Sequence, residues 1–109
     1  MKLPFQIDLS GKVAVVTGGA GVLCSSFAEA LAACGAAVAI LDRNKENGDA
    51  VVEKITAAGG RAIMVVTDCL DPASLEAACE TVKAELGACD ILINGAGGNN
   101  PRATTDNEY

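Results

Sequence analysis

The sequence predicts a layered α/β fold: a doubly wound parallel sheet in the strand order 3-2-1-4, stopping after its fourth strand. Short aliphatic runs recur about every 25 residues, enough for a helical crossover between parallel neighbours. Helix-like patterns fill the intervals. The strand ends carry unusual residues: Thr17-Gly18-Gly19-Ala20-Gly21 after the first run, Asp42 after the second and Asn94-Gly95-Ala96-Gly97 after the fourth. The chain has 109 residues, room for one domain over residues 1–109, incomplete at its C-terminus. Half of its residues are hydrophobic, yet it has one Tyr, two Phe and no Trp, so the core must be aliphatic.

Each element follows from its residues. Val13–Val16 is continuous and mostly β-branched, as expected of a strand covered on both faces. A helix from Val22 to Cys34 has apolar positions Leu23, Phe27, Ala30, Leu31 and Cys34, mostly three or four apart, and Gly35 stops it. Ala37–Leu41 is the second strand. Lys45–Ala58 reads as a helix with Val51, Val52 and Ile55 inward and Gly59-Gly60 beyond it. Ala62–Val66 is the third strand. Asp71-Pro72 opens the third helix, an N-cap acid before a proline in the first turn. Its inner stripe is Leu75, Ala78, Cys79, Val82 and Leu86, and Gly87 ends it. Asp90–Ile93 is the fourth strand.

The charge balance narrows the function. A net charge of −6 without a Lys/Arg cluster argues against nucleic acid as a partner, because phosphate tracking needs a basic face. No apolar run approaches the ~18 residues of a membrane span, and Met1–Ser10 lacks the apolar core of a signal peptide. The five cysteines (Cys24, Cys34, Cys69, Cys79 and Cys89) are odd in number, with no CxxC pair and no histidine, so no metal site is expected. They read as small buried hydrophobes in a reducing, cytoplasmic setting.

The strand ends suggest the chemistry. Backbone N–H groups at a strand–glycine turn–helix junction bind the pyrophosphate of a dinucleotide, assisted by the positive end of the helix. Gly18 allows the sharp turn, and Gly19 and Gly21 allow close approach of phosphates before Val22 and Leu23. Asp42, about 24 residues after Gly18, is placed to accept both ribose hydroxyls of an adenosine and to repel a 2′-phosphate. It therefore favours NAD over NADP, although Arg43 beside it is able to neutralise a phosphate. Asp68 is a candidate for the adenine amino group, with turn capping as the bland alternative. Cys69 reads as a backbone contact, since no cationic neighbour is evident to activate its thiol.

These residues resemble the N-terminal half of a short-chain dehydrogenase/reductase. The resemblance runs from Leu9-Ser10-Gly11-Lys12-Val13-Ala14-Val15-Val16-Thr17-Gly18-Gly19 through Asp42 and Asp68 to Asn94-Gly95-Ala96-Gly97, essentially the whole chain. It implies a Rossmann-type fold in which Asn94, Ala96 and Gly97 steady the central sheet and line the adenosine ribose. The family turn, Thr-Gly-x-x-x-Gly-x-Gly, is altered: Val22 and Cys24 stand where the second and third glycines belong, and Gly21 lies one place early. Cys24 is small enough to let the helix sit near the sheet, though less comfortably than glycine. The variant turn and the tail Gly97–Asp106 are similar to the sugar-acid branch, described as D-mannonate oxidoreductases or fructuronate reductases.

The resemblance implies hydride transfer between nicotinamide and a carbonyl or alcohol substrate, with a Ser and a Tyr-x-x-x-Lys as catalytic groups. None can be assigned here. The only tyrosine is Tyr109, and Ser25 and Ser26 fall in the first turns of a helix. The chain is expected to be a truncated reading of a longer protein, able to bind cofactor but inactive alone. Its exposed fourth strand predicts a homo-oligomer or aggregation. Arg102 is a candidate partner for a substrate carboxylate, with a solvated loop charge as the bland alternative. A non-catalytic nucleotide-binding or interaction module shares all these motifs; a methyltransferase shares the glycine turn and the acid after the second strand, but the Thr17-Gly18-Gly19 start and Asn94-Gly95-Ala96-Gly97 argue against it.

Overall fold

A computed structural model describes residues 7–18 and 21–95. The elements alternate as β1 (Val13–Thr17), α1 (Val22–Ala33), β2 (Ala37–Asp42), α2 (Lys45–Ala57), β3 (Arg61–Val66), α3 (Pro72–Glu85) and β4 (Ile91–Asn94). All strand pairs are parallel, and the sheet order is β3-β2-β1-β4. The expected order therefore holds, with element ends moved by a residue or so. Asp90, expected inside the fourth strand, lies just before it. Its N–H still donates to the Val13 carbonyl at 2.8 Å, and its carboxylate accepts from the Val13 N–H at 2.9 Å.

The period of two along the strands divides the core. Ala14, Val16, Val38 and Ile40 point to one face, where α1 and α2 contribute Ala28, Ala32, Val51 and Ile55. Val13, Val15, Ala39 and Leu41 point to the other, beneath Ala78 and Val82 of α3. Burial on both faces is why β1 and β2 are uninterrupted aliphatic runs. Gly48 of α2 lies directly over Met64 of β3, where a Cβ would collide with the thioether.

Two helix stripes differ from expectation. In α1 the inward residues are Ala28 and Ala32, with Cys24 and Leu31 partly buried against the core, whereas Leu23 and Phe27 are 68% and 46% exposed. The helix is apolar on both sides, so spacing alone could not choose the inner face, and small alanines allow the closer approach to the sheet. In α3, Ala78 and Val82 are buried but Cys79 faces solvent. The expectation of buried cysteines is likewise corrected: Cys79 and Cys89 are exposed, and Cys24, Cys34 and Cys69 are half-buried.

The helix ends are built as the sequence implies. Gly35, with φ of 104°, follows α1 in the left-handed conformation that side chains disfavour, and α2 and α3 close the same way. At the start of α3 the Asp71 carboxylate accepts from the Ala73 N–H at 3.1 Å, and proline occupies the first turn. Asp71→Ala is expected to lower unfolding free energy by about 1 kcal/mol, read as a lower midpoint in urea with an unchanged slope.

Candidate nucleotide-binding site

The order of the strands decides where a site can form. From β1 the chain moves outward to β2 and β3, then returns across the sheet to β4 on the other side of β1. A crevice opens at that reversal, beyond the carboxyl ends of the strands. The glycine turn, Asp42, the loop after β3 and Gly95 all stand at this end of the sheet.

Gly18 makes the turn. Its φ is 68°, its N–H donates to the Leu41 carbonyl at 2.7 Å, and its own carbonyl accepts from Gly21 at 3.1 Å. Gly21 is the extended residue before α1 and gives the helix no side-chain cap. Uncapped N–H groups at a helix start are the donors an anion needs.

Asp42 ends β2. One of its carboxylate oxygens accepts from the Asn44 N–H at 2.9 Å, fixing the turn into α2. Beyond β3, the Asp68 carboxylate accepts from the Leu70 N–H at 3.0 Å and the Asp68 N–H donates to the Ser74 hydroxyl at 2.9 Å. Both acids therefore brace their own turns, as the bland reading of Asp68 expected, and both also line a cleft.

This cleft encloses about 230 Å³ and is lined by Gly18, Asp42, Arg43, Thr67, Asp68, Cys69, Leu70 and Gly95. It gathers five of the residues singled out from sequence: Gly18, Asp42, Arg43, Asp68 and Cys69. Gly21, Val22 and Leu23 belong to the start of α1 and do not line it, and Val22 and Leu23 are strongly exposed. Asn94 lies at the tip of β4, also outside the lining. Gly19, Ala96 and Gly97 lie outside the described residues, as do Arg102 and Tyr109.

Three lining residues were not anticipated. Thr67 is fully buried, its hydroxyl donating to the Val65 carbonyl at 2.8 Å. Leu70 is 77% exposed at the rim, and an apolar residue in a polar loop was its only signal. Gly95 sits inside the Asn94–Gly97 segment without having been separated from it.

The tip of β4 is tied to the tip of β1. The Thr17 hydroxyl donates to the Asn94 side-chain oxygen at 2.7 Å, and the Gly95 N–H donates to the Thr17 carbonyl at 3.0 Å. Cys24, in the first turn of α1, lies against the α-carbon of Gly95: a Cβ on Gly95 would collide with its sulfur and come within 3.1 Å of the Thr17 carbonyl oxygen. The side chain that replaces a glycine of the family turn is thus accommodated over another glycine.

Cys69 forms part of the cleft wall, its sulfur 4.0 Å from the Leu41 carbonyl. Burial pushes its thiol above the ordinary range; the Gly18 N–H favours the thiolate, and the carboxylates of Asp42 and Asp68 oppose it. The thiol is therefore protonated at neutral pH. Because it titrates higher folded than unfolded, its contribution to stability is complete below about pH 8.5 and fades as pH rises through the folded value. Iodoacetamide labelling followed by peptide mass mapping should find Cys69 modified more slowly than exposed Cys79 and Cys89, with a midpoint above about pH 8.5.

A parallel sheet wound both ways from a glycine turn, with acids at the tips of β2 and beyond β3, defines a Rossmann-type domain. The sequence profile of the short chain dehydrogenase family matches residues 12–108. The chain belongs to this family of oxidoreductases. It is 57% identical over 106 residues to an uncharacterized oxidoreductase, UxuB, of Bacillus subtilis (strain 168), a match covering 97% of this chain and 38% of that protein. Among solved structures it superposes with a TM-score of 0.83 and 45% identity on a Haemophilus influenza protein provisionally assigned as a D-mannonate oxidoreductase, with bound NAD. That match covers 94% of this chain and 37% of the other. A metagenomic short-chain oxidoreductase in complex with NADP matches at 38% identity and a TM-score of 0.73, over 77% of this chain and 38% of its own. The chain thus spans little more than a third of the length of these relatives. Among the described residues no helix is long and apolar enough to cross a membrane.

Proposed function

We propose that this chain is the cofactor-binding segment of an NAD(H)-dependent short-chain oxidoreductase, and that it binds the adenosine diphosphate end of the coenzyme. The observation that carries this reading is the convergence of Gly18, Asp42 and Asp68 on one cleft at the carboxyl ends of the strands. Asp42 holds the adenosine ribose and disfavours a 2′-phosphate; Asp68 holds the adenine amino group; the glycine turn and the start of α1 hold the diphosphate, with Gly19 among its donors. Arg43 and Cys69 form the cleft wall, and Val22 and Leu23 flank the diphosphate. Asn94, Ala96 and Gly97 steady the sheet beside the ribose.

The parent reaction is hydride transfer between nicotinamide and a carbonyl or alcohol, and the likeness to a protein provisionally assigned as a D-mannonate oxidoreductase supports a sugar acid as substrate. The coenzyme supplies the hydride chemistry. The residues of this segment bind and orient its adenosine half, and no catalytic group is assigned to them. The chain by itself is proposed to turn over nothing.

Thermal shift with NAD, NADP and S-adenosylmethionine tests the cofactor reading. NAD is expected to raise the melting temperature most, and a larger response to S-adenosylmethionine overturns it. Self-association is also proposed. Strand β4 pairs only with β1 among the described residues, and Leu92 on it is 61% exposed. Sedimentation velocity should show a weight-average mass that rises with concentration, and a constant monomer mass at high concentration counts against it.

A further inference from the structure

We propose that Cys24 and Gly95 form a steric lock that sets how closely the first turn of α1 stands to Gly95 at the end of β4, and that Cys24 is thereby a positioning residue for the diphosphate half of the nucleotide site. The proposal rests on the cofactor reading and adds to it a residue pair that the cleft itself does not reveal, since Cys24 does not line it.

The lock is assembled from three contacts. Gly95 lines the cleft, and its N–H donates to the Thr17 carbonyl at 3.0 Å and to the Thr17 hydroxyl at 3.2 Å, so Gly95 is held against the tip of β1. In the direction a side chain at 95 would take, the Cys24 sulfur already fills the space, and the Thr17 carbonyl oxygen leaves 3.1 Å. Cys24 is also packed against the core cluster that joins α1 to the sheet, which restricts where its sulfur can turn. Backbone carbonyl on one side and a core-packed side chain on the other leave residue 95 no room for a methyl group. A methyl there must push the start of α1 and residue 95 apart.

The start of α1 follows Gly21, an N-cap that offers no side-chain hydrogen bond and whose N–H donates to the Gly18 carbonyl. Donors at a helix start act on an anion only at hydrogen-bond distance, and a displacement of about 0.5 Å is enough to loosen such a set. Asp42 and Asp68 line the same cleft as Gly95 but are carried on β2 and the loop after β3, whereas Cys24 is carried on α1 and lies outside the lining. The pair should therefore govern affinity for the diphosphate and leave the adenosine contacts alone. That selectivity separates positioning from a general contribution to stability.

The experiment is a double-mutant cycle on the 109-residue chain, with ADP-ribose and adenosine as probes and binding followed by ligand-observed NMR. Gly95→Ala is expected to weaken ADP-ribose about tenfold while leaving adenosine within about twofold. Adding Cys24→Gly to Gly95→Ala should recover most of the ADP-ribose affinity, because the methyl then occupies the space the sulfur has left. Equal losses for the two ligands, or no recovery in the double variant, overturn the lock. Should Gly95→Ala fail to fold, Cys24→Gly alone decides: it is expected to weaken ADP-ribose several-fold and spare adenosine, and unchanged ADP-ribose affinity overturns the proposal. A wild-type chain that binds neither probe refutes the cofactor reading and this proposal with it. A wild-type chain that binds both, with variants that match it, refutes the lock alone.

Discussion

Ile40→Ala is expected to lower the unfolding free energy by about 2–5 kcal/mol, a large share of what a domain of this size has. Ile40 is 0% exposed, in the middle of β2, paired with Val16 on one side and Met64 on the other. Its side chain enters the face shared by α1 and α2, where the neighbours are Ala28, Ala32, Val38, Val51 and Ile55. These side chains are short and sit on a hydrogen-bonded sheet, so they cannot collapse into the space that three missing carbons leave. The cavity term therefore adds to the lost transfer energy. Urea unfolding followed by circular dichroism measures the effect. A loss under about 1 kcal/mol would mean that the two helices settle onto the sheet and refill the gap.

The second large effect is on ligand preference. Asp42→Asn is expected to weaken NADH about tenfold or more and to shift the NADH-to-NADPH ratio of affinities toward NADPH by a larger factor. Hydrogen bonds from ribose hydroxyls to a charged acceptor are worth about 1.5–3 kcal/mol each, and 1.4 kcal/mol is tenfold in affinity. On the proposed reading, removing the charge weakens the ribose contact and relieves the repulsion of a 2′-phosphate, and Arg43 lines the same cleft. Asparagine is the informative replacement because its side-chain oxygen can still accept from the Asn44 N–H, so the entry to α2 survives. Fluorescence titration with both reduced coenzymes checks the ratio. Unchanged NADH binding in a folded variant would remove the ribose role from Asp42.

These two residues mark what was legible in the sequence and what was not. Strands β1 and β2 are buried on both faces, and an unbroken run such as Ala37–Leu41 announces that directly. Glycine and proline at the helix ends fixed the boundaries within about a residue or two. The inner face of α1 stayed hidden because Leu23 and Phe27 compete with Ala28 and Ala32, and only the close packing of the helix on the sheet favours the alanines. In the site, Asp42 and Asp68 stood out because they follow the second and third apolar runs, Asp42 at 24 residues from Gly18. Thr67, Leu70 and Gly95 did not, because their importance comes from which loops meet in space. The fit between Cys24 and Gly95 joins residues 71 positions apart, and no local pattern encodes it.

Strand β4 is fastened to β1 at both extremities by side chains as well as by the ladder between them: the Asp90 carboxylate takes the Val13 amide at one end, and Thr17 meets Asn94 at the other. An outer strand attached only by its ladder would fray from a tip, one bond at a time. With both tips clasped, neither bond of the pair can be released cheaply while the other holds. Among the described residues β4 pairs only with β1, and with both tips clasped it should part from β1 as a unit, so Gly95, just beyond it, is carried on a platform that stays in register.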